Sequence, residues 1–170
     1  MDDIYKYLLV AFEEAELAKQ EGTFPIGAVL VDNTTGLIIA RERNRVFSSC
    51  DTTGHAEVNL LRAASDRLID LSTKQFINND YTIYSTCEPC PMCTCTILLS
   101  GIKKVVWAAN DNTFGAARKF KEGPHFSEYF DTISYLATPY PELELKQRSM
   151  IADFYTSRGY VDTEWHKELS

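Results

Sequence analysis

Two cysteines three residues apart, with a histidine upstream, limit most strongly what this chain can fold into. Pro89 and Pro91 predict that a helix begins around Cys90 and Cys93, because proline is tolerated in a first helical turn. Residues three apart on a helix face the same way, so both sulfurs point to one place. The positive end of the helix dipole lowers the pKa of a thiol and favours the metal-binding thiolate. Two thiolates and the imidazole of His55 are typical zinc ligands, and three protein ligands leave a fourth position open for water.

A carboxylate follows the histidine two residues later in the sequence. Residues two apart on a helix do not face the same way, so His55 and Glu57 are not both expected to bind the metal. We expect Glu57 to lie beside the metal-bound water instead. There it can accept a proton from the water and deliver it to a substrate. The alternative is a closed structural zinc site with Cys87 or Cys95 as a fourth ligand. Cys95 is expected to point away from Cys93, and a structural site gives the carboxylate no role.

The order His-x-Glu, then Pro-Cys-x-x-Cys, resembles the signature of the cytidine deaminase superfamily, in its nucleobase and nucleoside deaminase branch. The resemblance covers residues 4–158 and implies an α/β fold, a three-layer α/β/α sandwich around a five-stranded mixed sheet. It implies one zinc per chain, bound by His55, Cys90 and Cys93, with Glu57 as the catalytic acid and base. Members usually assemble as dimers or higher oligomers, so it also implies a homodimer.

The same resemblance implies a set of substrate contacts. Asn44 matches the family asparagine that hydrogen-bonds the substrate ring, and the backbone N–H of Ala56 is a second donor by analogy. Phe47, Phe114 and Trp165 are similar to the aromatic residues that close over the ring in fungal cytosine deaminase. Aromatic side chains of this kind stack on a planar ring or enclose it.

Parts of the chain resemble branches of the superfamily that act on different substrates. Segment 87–93 resembles the guanine deaminases, whereas segment 111–117 resembles the tRNA adenosine deaminases. The formal net charge is −7, and an acidic protein repels a polyanion. Residues 142–170 hold four Lys and Arg against six Asp and Glu, where tRNA-editing relatives tend to be basic.

We therefore expect a zinc-dependent hydrolytic deaminase that releases ammonia from a small-molecule nucleobase or nucleoside. The alternative is tRNA adenosine-to-inosine deamination at the anticodon wobble position. Two basic groups are candidate phosphate contacts for an RNA: Arg41, Arg43 and Arg45, and then Arg118, Lys119 and Lys121. Each group is more simply explained as solvated surface charge.

The length and composition of the chain indicate the number of domains and the cellular compartment. The chain has 170 residues and 45% hydrophobic content, so we expect one domain over residues 1–170. No stretch approaches the length of a membrane span, and the acidic start of the sequence leads us to expect no secretion signal. Five cysteines, three of them clustered at metal-ligand spacing, favour a reducing cytoplasm over a disulfide framework.

Hydrophobic periodicity predicts alternating helices and strands, which is typical of an α/β sheet with helices on its faces. The predicted strands are 24–31, 37–40, 81–86, 104–109 and 131–136, and the predicted helices are 4–20, 55–68, 90–101 and 141–158. Thr52 or Thr53 is the expected cap of the second helix. Segment 72–80 is expected to be a loop. Loop 110–124 follows a strand, at the kind of position where ligands usually bind.

Overall fold

A computed structural model describes residues 2–120 and 133–167 of the chain. The strands are β1 (Gly27–Asp32), β2 (Ile38–Arg43), β3 (Ile69–Asp70), β4 (Gln75–Phe76), β5 (Tyr81–Cys87), β6 (Lys104–Ala109) and β7 (Ser134–Ala137). The helices are α1 (Asp3–Gln20), α2 (Ala56–Ala63), α3 (Ser65–Leu68), α4 (Pro91–Leu99), α5 (Ala117–Phe120), α6 (Pro141–Thr156) and α7 (Glu164–Lys167). None of the helices in these two ranges is long and apolar enough to cross a bilayer.

Five of the strands form one mixed sheet in the order β2-β1-β5-β6-β7. β1 pairs antiparallel with β2 and β5, whereas β5, β6 and β7 run parallel. A parallel pair needs a crossover connection, and α4 lies in the connection between β5 and β6. The predicted five-stranded mixed sheet is therefore confirmed.

Helices cover both faces of this sheet, as expected for a three-layer α/β/α sandwich. Successive side chains of a strand point to opposite faces. Leu30 of β1 packs in one apolar cluster with Leu60 of α2 and Ile97 of α4. Its neighbour Val29 belongs to a second cluster, which includes residues of α1 and α6. The two clusters place α2 and α4 on one face and α1 and α6 on the other.

Several predicted boundaries move in the structure. β1 begins at Gly27 rather than at residue 24, because Pro25 has no backbone N–H for a strand ladder. The predicted loop 72–80 contains β4, which pairs antiparallel with β3. Of the predicted strand 131–136, residues 131 and 132 lie outside the described ranges, and β7 extends to Ala137.

Candidate active site

Two helix N-termini bring the predicted metal ligands together. His55 is the N-cap residue of α2, and Cys90 is the N-cap residue of α4. The expected cap Thr53 instead hydrogen-bonds the carboxylate of Asp51. Neither N-cap side chain bonds its own helix, so the imidazole and the thiol face each other, with Nδ1 and Sγ 3.7 Å apart. Cys93, in the first turn of α4, completes the group.

The ligand atoms of His55, Cys90 and Cys93 all lie within 4.8 Å of one another. Zinc–sulfur bonds of about 2.3 Å and zinc–nitrogen bonds of about 2.0 Å in a tetrahedron separate ligand atoms by about 3.5–3.8 Å. Small side-chain adjustments therefore suffice for zinc. No other group of this kind occurs in residues 2–120 and 133–167, and the alternative fourth ligands Cys87 and Cys95 lie outside it. The donor set thus fits zinc with an open position.

The two thiols of this group differ in acidity. A hydrogen bond from the Cys93 thiol lowers the pKa of Cys90 to about 4, and the same hydrogen bond raises the pKa of Cys93. Metal binding needs both as thiolates, so binding of zinc releases a proton.

Glu57 lies in the first turn of α2, beside this group but not within it. Its side chain is buried, and the hydroxyl of Ser85 on β5 donates a hydrogen bond of 3.0 Å to its Oε1. Burial raises the pKa of the Glu57 carboxyl. The hydrogen bond from the sheet holds this carboxylate on the wall of the site.

A cavity of about 470 Å³ opens over these residues, lined by His55, Glu57 and Cys90. Asn44 also lines it and is 1% exposed. The Oδ1 of Asn44 accepts hydrogen bonds from the Thr23 hydroxyl at 2.7 Å and from the backbone N–H of residue 46 at 3.0 Å. Because Oδ1 is engaged within the protein, the amide nitrogen is the donor that Asn44 offers to a ligand.

The three predicted aromatic contacts lie in different places. Phe114 and Trp165 line the cavity, the first 65% exposed and the second buried. Phe47 does not line it, because its ring packs against Phe24, with centroids 5.4 Å apart. Ala56 is fully buried at the start of α2 and does not line the cavity either.

Sequence reasoning missed another part of the cavity wall. Ile151 and Tyr155 of α6 line it together with Phe24. Ile151 lies in the predicted helix 141–158 and is one of the apolar residues whose periodicity indicated that helix. Nothing in that pattern distinguishes a side chain that packs in the core from one that faces a cavity.

Glu88 fixes the loop that follows β6. Its buried carboxylate accepts hydrogen bonds from the backbone N–H groups of Asp111 at 3.2 Å and Arg118 at 3.1 Å. It also accepts from the Nε of Arg118 at 2.9 Å and pairs with Nη2 at 2.8 Å. Gly115 passes so close that a Cβ there would lie 2.4 Å from Oε2 of Glu88. This Glu88–Arg118 clamp holds Asp111 and Phe114 against the cavity.

The arginines of the first basic group are paired with carboxylates of the protein. Glu14, 4% exposed, binds both Arg41 at 2.5 Å and Arg43 at 2.9 Å. Arg45 binds Glu42 at 3.1 Å. In the second group Arg118 belongs to the clamp, and Lys121 lies outside the described residues. All four arginines of the two groups are therefore paired with carboxylates.

Comparison with known proteins identifies the family of this chain. The sequence profile of the cytidine and deoxycytidylate deaminase zinc-binding region matches residues 1–109. The chain belongs to this family. Zinc is the family cofactor, and the matched range holds His55, Glu57, Cys90 and Cys93. The predicted superfamily and the predicted zinc are confirmed, and the domain is a zinc-type hydrolytic deaminase.

Among curated deaminases, the chain is 38% identical over 109 residues to the tRNA-specific adenosine deaminase of Aquifex aeolicus, covering 64% of this chain and 68% of that protein. It is 38% identical over 116 residues to the chloroplastic tRNA(adenine(34)) deaminase of Arabidopsis thaliana, covering 68% of this chain. The matched part is only 8% of that Arabidopsis protein.

Solved structures of deaminases share the fold. A structure from studies of A-to-I editing by tRNA:A34 deaminases superposes with a TM-score of 0.65 at 29% identity, covering 78% of this chain and 97% of that one. The guanine deaminase of Nitrosomonas europaea superposes with a TM-score of 0.69, covering 88% of this chain and 83% of that one. Its identity is 22%, so this second likeness concerns the fold alone.

Proposed function

We propose that this deaminase converts adenosine to inosine in tRNA. The supporting observation is the 38% identity to tRNA-specific adenosine deaminases over a stretch of 109 residues. The family match includes the metal ligands and Glu57. The alternative raised by the sequence thus becomes the main proposal, and the free nucleobase or nucleoside becomes the second.

The chemistry uses the residues around the zinc group. His55, Cys90 and Cys93 would hold the zinc, which as a Lewis acid would lower the pKa of a water molecule and make a nucleophile available at neutral pH. Glu57 takes one proton from the attacking water and gives it to the ring nitrogen as the C–O bond forms. It then takes the second proton from the new hydroxyl group and gives it to the amine, so that the C–N bond breaks and ammonia leaves. The hydrogen bond from Ser85 keeps the carboxylate beside the reacting atoms.

The cavity walls orient the base. The amide nitrogen of Asn44 donates to a ring acceptor, while Phe114 and Trp165 enclose the ring. A cavity of about 470 Å³ takes one base and its sugar rather than a paired base. The target adenosine must therefore lie in an unpaired loop, from which it can be turned out of the stack.

A free nucleobase or nucleoside is the second candidate. Arg41 and Arg43 both form ion pairs with Glu14, so their positive charge is not available to bind RNA phosphates. This pairing favours the free base or nucleoside. The formal net charge of −7 points the same way.

The deciding experiment assays both substrate classes side by side with the zinc-loaded protein at near-physiological salt. tRNA transcripts with adenosine at the wobble position are digested and analysed for inosine by mass spectrometry. A panel of purine and pyrimidine bases and nucleosides is assayed for ammonia. We expect inosine in the tRNA. Ammonia from a free base or nucleoside, with no inosine in any tRNA, would replace the proposal by the second candidate.

We also propose that the domain works as a homodimer in the cytoplasm. The thiols of Cys90 and Cys93 are free, and a reducing compartment keeps thiols available to bind zinc.

A further inference from the structure

A second, shallower hollow adjoins the active-site cavity. It measures about 360 Å³ and shares Pro91 and Phe114 with the cavity. Its other lining residues include Thr113, Gly115 and Lys119. The exposed ring of Phe114 therefore forms part of the boundary between the two spaces. This hollow is named the side pocket.

Lys119 gives the side pocket a positive charge. In residues 2–120 and 133–167, no carboxylate lies within ion-pair distance of its ammonium group. Its Nζ donates to the backbone carbonyl of Asn112 at 3.3 Å, and an ammonium group has two further donors. The adjacent Arg118 differs, because Glu88 holds its guanidinium at 2.8 Å. Of these two described neighbours, Arg118 and Lys119, it is Lys119 whose charge can accept an external anion.

An exposed aromatic ring next to a cation is a typical binding surface for an unpaired nucleotide. Bases of single-stranded RNA stack on aromatic side chains, and lysine pairs with phosphate. The side pocket lies directly beside the space for the target base, since both are lined by Phe114. A strand whose target base enters the cavity would therefore place an adjacent nucleotide here.

We propose that the side pocket binds the nucleotide next to the target adenosine, with its base against Phe114 and its phosphate at Lys119. This inference rests on the proposed action on RNA. A mononucleotide offers the same phosphate chemistry, but its single base already occupies the cavity. The aromatic wall of the side pocket then has no ring to bind, which favours a neighbouring nucleotide in a strand.

The first test measures affinity for a fluorescently labelled RNA hairpin that carries the target adenosine in its loop. All proteins carry Glu57→Gln, so that the RNA is not turned over during the anisotropy measurement. One phosphate contact changes the logarithm of the affinity by roughly 0.7 per decade of salt, which is about fourfold between 1 M and 0.15 M. We expect Lys119→Gln to weaken binding about fourfold at 0.15 M salt and to reduce the salt slope by about 0.7.

Two variants serve as matched controls. Lys119→Arg keeps the charge and should keep most of the affinity. Lys103→Gln removes an exposed lysine just before the start of β6, whereas Lys119 follows the end of β6. This control should leave the affinity unchanged. Equal affinities and equal salt slopes for Lys119→Gln and Lys103→Gln would refute the side pocket.

The second test replaces each phosphate that flanks the target adenosine with a neutral methylphosphonate. At one of the two positions, the methylphosphonate should weaken binding to the protein with Lys119 about fourfold. The same methylphosphonate should not weaken binding to Lys119→Gln any further, because that variant already lacks the contact. If the losses from the methylphosphonate and from Lys119→Gln are additive at both positions, Lys119 does not contact either phosphate.

Adenosine 5′-monophosphate is tested as a competitor of the RNA. Competition that depends on Lys119 would instead assign the phosphate at Lys119 to the target nucleotide itself.

The two proposals fail in different ways. If the native protein makes no inosine in any RNA, the proposed function is wrong, whatever Lys119 does. If inosine forms but Lys119→Gln binds RNA like Lys103→Gln, only the side pocket is wrong.

Discussion

Glu57→Gln separates proton transfer from folding. Glutamine has the same size and still accepts the hydrogen bond from Ser85, so we expect the variant to keep its zinc and its fold. It cannot shuttle protons, and a general acid–base group contributes roughly 10²–10⁴-fold to the rate. Turnover by the best substrate of the side-by-side assay should fall by at least that factor. Glu142→Gln, an exposed change on α6, is the control, and near-native turnover in Glu57→Gln would remove the carboxylate from the mechanism.

The cysteines provide a residue-by-residue test of the metal group. Cys90→Ser and Cys93→Ser should each lose most of the zinc, because each removes one of only three protein ligands. Cys95→Ser lies on the same helix and outside the group, so it should still bind about one zinc per chain. Emission spectroscopy of dialysed proteins measures the ratio. Loss of zinc from Cys95→Ser would favour a closed structural site instead.

At the scale of elements, the Glu88–Arg118 clamp connects the zinc-binding segment to the loop after β6. Arg118→Met leaves the fully buried carboxylate of Glu88 without its cation. Breaking a buried ion pair costs about 3–5 kcal/mol, but Arg118 is 32% exposed, and water screens part of the charge. We expect the free energy of unfolding to fall by roughly 2–3 kcal/mol in urea titrations at fixed zinc.

Two further variants check the origin of this loss. Arg62→Met breaks the exposed pair with Asp51 and should cost at most about 1 kcal/mol. The double variant Glu88→Gln with Arg118→Met should recover part of the stability, since no charge is then left buried without a partner. Equal losses for Arg118→Met and Arg62→Met would mean that the clamp is not a buried pair in solution.

Local patterns predicted the elements, but not the contacts between them. The apolar run at 104–109 predicted β6 with its observed bounds, and helical spacing predicted α1 within one residue. Strands β3 and β4 have two residues each, too few to show an alternating pattern. Spacing indicated the ligands His55, Cys90 and Cys93. The pairing of Glu88 with Arg118 joins residues 30 apart in sequence and depends on tertiary packing that no local pattern carries.

At the scale of the whole molecule, we expect two copies of the chain to associate. Leu99 is 74% exposed at the end of α4, and a hollow of about 420 Å³ between α2 and α4 is lined by Val58, Leu61 and Met92. Burying such apolar surface against a second copy favours association. Light scattering at micromolar concentration should give twice the chain mass of 19.3 kDa.

Single substitutions test this association. Leu99→Glu places a charge on the exposed apolar surface and should give the mass of one chain. Leu71→Glu changes a leucine that is 85% exposed after β3 and should leave the mass unchanged. A native protein with the mass of one chain would contradict the homodimer.

The placement of His55 and Cys90 at two helix N-termini has a thermodynamic consequence. A metal bound there is a cross-link between residues 35 apart, from the start of α2 to the start of α4. A ligand that binds the folded state alone stabilises it by RT ln(1 + [L]/Kd), so the melting temperature should rise with free zinc concentration. Chelators therefore act on the fold as well as on turnover, and the lifetime of the chain becomes coupled to the supply of its metal.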